Sequence, residues 1–373
     1  LQIPKSKITL QASHFYLEMP MSVLTKQILR LILRISVAVI LLGWVLSHVD
    51  FTHFQQAVKA ARWQYLLGVW GATALFFWVQ AVALRWILRK QDCDVSLNTI
   101  FGASCVTSLY GLVLPGFVTT GVKWYILKRT TGKGINVLSA MLYNQVTLTV
   151  VMMAVGLVGL ILVNPTKAFW PEAQRSWVLP LLCGVLLAII LLVFALALNE
   201  RTALPVIRLL IAALRPLPEA VQEKGQTVLA QIATFQSAGW RFHLTIASIN
   251  VVDGLLVGLL IYLFAAWAAS AAVPTSVLIW LCAIVFLLNK LQITIANLGV
   301  REVALIHLLA GYGVTQSTAL LMSMILLSSL VFMAALGVIY QILWTLQSRN
   351  APRTNELKPG IAERTKEAER RDD

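Results

Sequence analysis

Charge is what this sequence has least of. Asp, Glu, Lys and Arg make up 12% of its 373 residues, where soluble domains carry about 25%. That excludes an ordinary soluble fold. Acids are scarcer still, 16 against 30 Lys and Arg. The predicted external loops hold only Asp50 and Glu172 as acids. A lipid-linked glycosyl or acyl transferase needs a carboxylate or His set at the membrane surface, and none is offered. Four cysteines, Cys93, Cys105, Cys183 and Cys282, are scattered, with neither metal-ligand spacing nor a disulfide framework. The five histidines are dispersed too. No Gly-rich phosphate loop is followed by Lys. We therefore expect no catalytic residue, no metal and no cofactor. The net charge of +14 does not call for nucleic acid, because membrane proteins collect Lys and Arg in their cytoplasmic loops.

What is abundant is apolar. Hydrophobic residues make up 58% of the chain, and the mean hydropathy is +0.78. This is an all-α polytopic membrane protein with room for about six to eight helices of ~20 residues. Residues 1–27 read as an N-terminal extension, with Met19 or Met21 as natural starts. Lys26, Arg30 and Arg34 precede an apolar run over 35–49, which reads as a retained first span and places the N-terminus in the cytoplasm. Further full spans are expected over 63–85, 137–163, 178–198, 242–267 and 318–346. Residues 201–241 read as a basic amphipathic cytoplasmic connector. Residues 347–373, charged and poor in core residues, read as a disordered cytoplasmic tail.

Two stretches do not fit single crossings. Residues 98–114 are apolar, Pro115-Gly116 breaks the helix, and Lys123, Lys128, Arg129 and Lys133 follow. Keeping those cations inside requires a re-entrant hairpin over about 98–133. Residues 277–313 then form a second hairpin, opening to the outside and turning near Gly299. The two resemble each other: Gly121-Val122-Lys123 and Gly299-Val300-Arg301 begin the return arms, and Gly134-Ile135 and Gly313-Val314 end them. The fold expected for residues 28–346 is thus about six full spans plus two inverted re-entrant helical hairpins, a plan that transporters use. Pro115, Gly116, Gly121 and Gly299 are its candidate hinges.

These residues resemble a family. Leu114-Pro115-Gly116 with Gly121, Lys123, Tyr125 and Leu127 is similar to the first motif of the lysylphosphatidylglycerol synthase transmembrane-region family, also called flippase-like. Gly299-Val300-Arg301-Glu302 with Gly313-Val314 is similar to its second. The likeness spans roughly residues 30–346. Where the family commonly has Gly-Gly-Asp, this chain has Thr119-Thr120-Gly121, and Lys123 stands where Arg is usual. The resemblance implies the translocating half without the aminoacyl-transferase domain. It implies as cargo a phospholipid, an aminoacyl-phospholipid or a polyprenyl-phosphate sugar.

The candidate site follows from the cost of charge in hydrocarbon, about 2.5–3.5 kcal/mol for each ionised side chain. Lys123, Lys290, Arg301, Glu302, Asp253 and Asn297 pay it or lie beside those that do. Arg301 offers a planar fork for a phosphate, or pairs with Asp253 or Glu302. Lys123 is its repeat-mate. Lys290, Thr294, Asn297 and Arg301 fall on one helical stripe if the turn is gentle, and the half-helix after Gly299 points its N–H groups at the turn. Asp253, about 11 residues into its span, lies roughly 16 Å deep. It is either a structural partner to Lys290 or Arg301, or a proton-coupled carboxylate. Asn144 reads as a helix-joining hydrogen bonder. The reading is a flippase of the inner (plasma) membrane, multi-pass, both termini cytoplasmic, with anionic lipid headgroups as partners. A homodimer and an envelope-biosynthesis enzyme are further partner expectations. The alternative is a non-transporting partner of a lipid-linked glycosyl or acyl transferase, or that enzyme itself.

Overall fold

The computed structural model describes residues 51–112, 114, 116–169, 177–198, 235, 238–291 and 298–350. The expected first span, the extension, most of the 201–241 connector, the end of the tail, Pro115, Thr294 and Asn297 lie outside the described residues. What is described is helical: α1 (Phe51–Ala60), α2 (Gln64–Lys90), α3 (Leu97–Gly111), α4 (Gly116–Thr131), α5 (Gly134–Val163), α6 (Thr166–Phe169), α7 (Val178–Leu198), α8 (Trp240–Val251), a π-helical turn (Val252–Val257), α9 (Gly258–Ala268), α10 (Thr275–Leu291), α11 (Val300–Ala310) and α12 (Gln316–Asn350).

Among the described residues, five stretches are long and apolar enough to cross a membrane: α2, α5, α7, α8 through α9, and α12. Hydropathy alone places these spans. Their ends follow local chemistry. Ser96 accepts a hydrogen bond from the Thr99 N–H at 3.1 Å and starts α3. Asn164 takes a left-handed φ of +43° ahead of Pro165 and stops α5.

The shorter helices are explained by their breaks. α3, α4, α10 and α11 have 15, 16, 17 and 11 residues. At ~1.5 Å per residue each is shorter than a hydrocarbon core of ~30 Å. Gly116 is the first residue of α4 and Gly299 immediately precedes α11, so both stand at breaks. Gly121 does not: it lies inside α4, five residues past the start, so the return arm begins earlier than its glycine suggests.

Two apolar clusters organise the bundle. One gathers Val69 of α2, Ala265 of α9, Leu278 of α10, Leu309 of α11 and Ala319 of α12. The other gathers Leu88 of α2, Ile100 of α3, Leu127 of α4, Val137 of α5 and Ile246 of α8. α2, α5 and α12 reach from one cluster to the other, as does the run from α8 through α9. α3 and α4 belong to the second cluster, and α11 and most of α10 to the first, with Cys282 and Ala283 of α10 joining Leu148 and Met152 of α5 in a smaller third cluster. Polar contacts agree. Lys133, just past α4, donates its Nζ hydrogen bond to the Asp92 carbonyl, just before α3, at 3.0 Å. Trp280, early in α10, and Tyr312, just past α11, have ring centroids 6.4 Å apart.

Helix pairing is reciprocal. α3 packs most extensively on α12, α10 on α5, and α2 on α9. Small residues let these backbones approach, as membrane helices require. At Gly337 of α12 an added Cβ would lie 2.4 Å from the Cys105 carbonyl oxygen of α3. At Gly156 of α5 it would lie 2.8 Å from Ala283 Cβ of α10. Gly337→Ala must push two backbones apart, and overpacking of this kind costs about 1–3 kcal/mol. We expect a lower thermal midpoint in detergent for that variant and none for Gly121→Ala, where an added Cβ meets nothing within 4 Å. Equal midpoints would refute the close crossing.

Candidate functional site

Gly299 immediately precedes α11, and its φ of +85° lies where only glycine sits without strain. A right-handed helix cannot continue through it. The single helical stripe expected from Lys290 to Arg301 is therefore broken: α10 ends at Leu291 and α11 starts at Val300. Three residues past the turn, Glu302 folds back. Its Oε2 accepts a hydrogen bond from the Gly299 N–H at 2.7 Å. The anion expected at this helix end is thus the chain's own carboxylate. Its Oε1 accepts from Arg301 Nη2 at 2.7 Å and from the Ser323 hydroxyl of α12 at 2.7 Å. Ser323 Oγ in turn accepts from Arg301 Nε–H at 2.8 Å. Arg301 and Glu302 are only 4% and 3% exposed. The Arg301 fork spends two of its nitrogens inside the protein, and its partner is Glu302, not Asp253.

The cations left over are lysines. Lys290 is the last residue but one of α10, roughly 22 Å from its first residue at ~1.5 Å per residue. Lys123 lies on α4. Lys290 Nζ stands 4.7 Å from the Phe286 ring centroid, a cation–π contact. Among the described residues neither lysine has a salt-bridge partner.

Asp253 sits elsewhere, fully buried in the π-helical turn. Its Oδ2 accepts a hydrogen bond from Gln80 Nε2 of α2. Asn144 of α5 donates to Gln80 Oε1 at 3.3 Å, the helix-joining role expected of it. No ion pair to Lys290 or Arg301 is found among the described residues. Sequence reasoning missed Gln80, Ser323 and Phe286. The first two carried a signal, a polar side chain in an otherwise apolar span.

These features define a class: a polytopic helical membrane protein with buried charge at helix breaks. Residues 31–337 match the family described as the lysylphosphatidylglycerol synthase TM region. The chain belongs to that family. No curated protein and no solved structure matches it.

Proposed function

We propose that this chain moves a lipid with a net-negative headgroup across the plasma (inner) membrane, without making or breaking its bonds. The single observation that carries the reading is that two short helices each hold a lysine, Lys123 on α4 and Lys290 on α10, with no salt-bridge partner among the described residues. Fixed cations offset the desolvation of a phosphate, while the acyl tails stay in hydrocarbon. Glu302 is engaged with Arg301, Ser323 and the Gly299 N–H, and Asp253 through its Oδ2 with Gln80. Lysine cations suit a plain phosphate-bearing lipid better than an aminoacylated one, whose headgroup carries a cation of its own.

The hairpins are, in this reading, inverted re-entrant repeats. Support comes from their placement largely in different apolar clusters, from the short arms, and from the crossed pairing of α3 with α12 and α5 with α10. Arg89, Lys90, Lys128, Arg129, Lys133 and Arg241 lie at the ends of helices in the second cluster, so that side is cytoplasmic by the positive-inside rule.

The direct test is translocation of fluorescent phosphatidylglycerol in proteoliposomes, read by dithionite quenching of the outer leaflet. Quenching equal to that of protein-free vesicles rejects the reading. Orientation has its own check. Cysteines placed at Lys133 and at Gly313 are expected to label from opposite faces, the first from the cytoplasm only; labelling from one shared face would discard the inverted plan. Background is low, since Cys93, Cys105, Cys183 and Cys282 are all buried. In the loop after α2, burial raises the Cys93 thiol above its ordinary pKa, which disfavours the reactive thiolate.

A further inference from the structure

Asp253, Gln80, Asn144 and Asn250 meet where α2, α5 and α8 pack around the π-helical turn. Asp253 and Asn250 are completely buried. Gln80 joins the group: its Nε2 donates to Asp253 Oδ2 and, at 3.4 Å, to Asn250 Oδ1, while its Oε1 accepts from Asn144. Three polar atoms of the cluster are buried with no hydrogen-bond partner: Asp253 Oδ1, Asn144 Oδ1 and Asn250 Nδ2. One helical turn of π geometry at this point is itself unusual and is found mostly where function needs it.

The elements packed on the turn bring no counter-charge to Asp253. The titratable groups they carry are Arg85 on α2, Tyr143 on α5, His243 on α8 and Tyr262 on α9, with Tyr65, Arg89, Lys90 and Arg241 toward helix ends. None hydrogen-bonds or ion-pairs with Asp253 among the described residues. His243 Nδ1 lies 2.6 Å from the Tyr143 hydroxyl, and its Nε2 is buried without a hydrogen-bond partner. An ionised carboxylate held here would be unpaired in the hydrocarbon, which proteins avoid. A proton on Oδ1 removes the charge and turns an orphan acceptor into a donor. The cluster holds an orphan acceptor, Asn144 Oδ1, for it. A sodium ion fits less well. It asks for several oxygens, and an amide N–H donor, Asn250 Nδ2, stands among them.

We propose that this cluster is a proton-binding site, separate from the two lysines, and that Asp253 holds the proton in the conformation seen here and yields it to water in another. The step is simple: the Asp253 O–H bond breaks, the electron pair stays on the carboxylate, and the proton leaves. The role of that exchange rests on the transport reading, with a proton gradient as the source of work; the presence of the proton does not.

Two measurements on the full chain decide it. Infrared spectra in lipid nanodiscs at neutral pH are expected to show the carbonyl band of a protonated carboxylic acid that Asp253→Asn removes and Asp253→Glu shifts. Adding phosphatidylglycerol to the detergent-solubilised protein in weak buffer with a pH dye is expected to exchange up to about one proton per chain. Asp253→Asn should abolish that signal, and Asp253→Glu should keep it. An acid band that survives in Asp253→Asn, a proton signal equal in that variant, or a signal that follows sodium instead overturns the proposal. If both results hold while wild-type vesicles move no lipid, the transport reading falls and the proton site stands.

Discussion

Replacing Glu302 by Gln is expected to destabilise the protein by about 3–5 kcal/mol, the cost of leaving one member of a buried ion pair alone. Gln is nearly isosteric, so shape is not the cause. Its amide oxygen can still accept one hydrogen bond, but it cannot neutralise the Arg301 guanidinium, which is almost entirely shielded from solvent. The companion experiment removes the charge from both sides. In Arg301→Met with Glu302→Gln, the amide retains a donor for Ser323 and an acceptor for the Gly299 N–H, and no unpaired cation remains. That double variant is expected to regain at least half of the loss, as a cycle of thermal or denaturant unfolding in detergent will show. A double variant no better than Glu302→Gln would mean that the network matters for its hydrogen bonds and not for its charge balance. The same geometry assigns Arg301→Ala a folding defect, because Glu302 would then be the stranded charge.

The second large effect falls on transport and spares the fold. Lys290→Gln and Lys123→Gln each remove a cation with no salt-bridge partner among the described residues. A hydrogen bond to a charged group contributes about 1.5–3 kcal/mol, so each variant is expected to slow headgroup translocation roughly 10- to 150-fold. Thermal stability should hold, because neither side chain has a salt-bridge partner to lose among the described residues. Lys290→Arg keeps the charge and should keep most of the rate. A fall in rate with stability held is the signature of a transport site; a joint fall in both would make the lysines structural. Low-salt vesicles with normal rates in both Gln variants would remove the cationic site from the mechanism altogether.

Much of this was legible in the sequence, for definable reasons. Long apolar runs carry their own boundary information, so the spans now seen as α2, α5, α7, α8 through α9, and α12 stand close to where hydropathy places them. Breaks are local chemistry too, and Gly299 and Gly116 mark theirs. Gly121 misled because a glycine inside a helix looks, in sequence, like one at its end. The charged residues were found because charge in hydrocarbon is conspicuous. Their partners were found only in part, because partnership is tertiary. Glu302 was one of two partners expected for Arg301 and is the one it has, while Ser323 arrives from another helix and went unnoticed. The π-helical turn that carries Asp253 has no sequence mark, since VDGLLV would serve in an ordinary helix equally well.

The crossed pairing of the helices also sets an order of assembly. Leu97 begins α3 and Gln316 begins α12, its principal partner. At a ribosomal pace of about 5–20 residues per second, α3 waits ten seconds or more for the surface it will pack against. For that interval α3 and α4, each too short to stand across the bilayer by itself, depend on the insertion machinery or on lipids for shelter. A chain halted before α12 is therefore a substrate for membrane quality control.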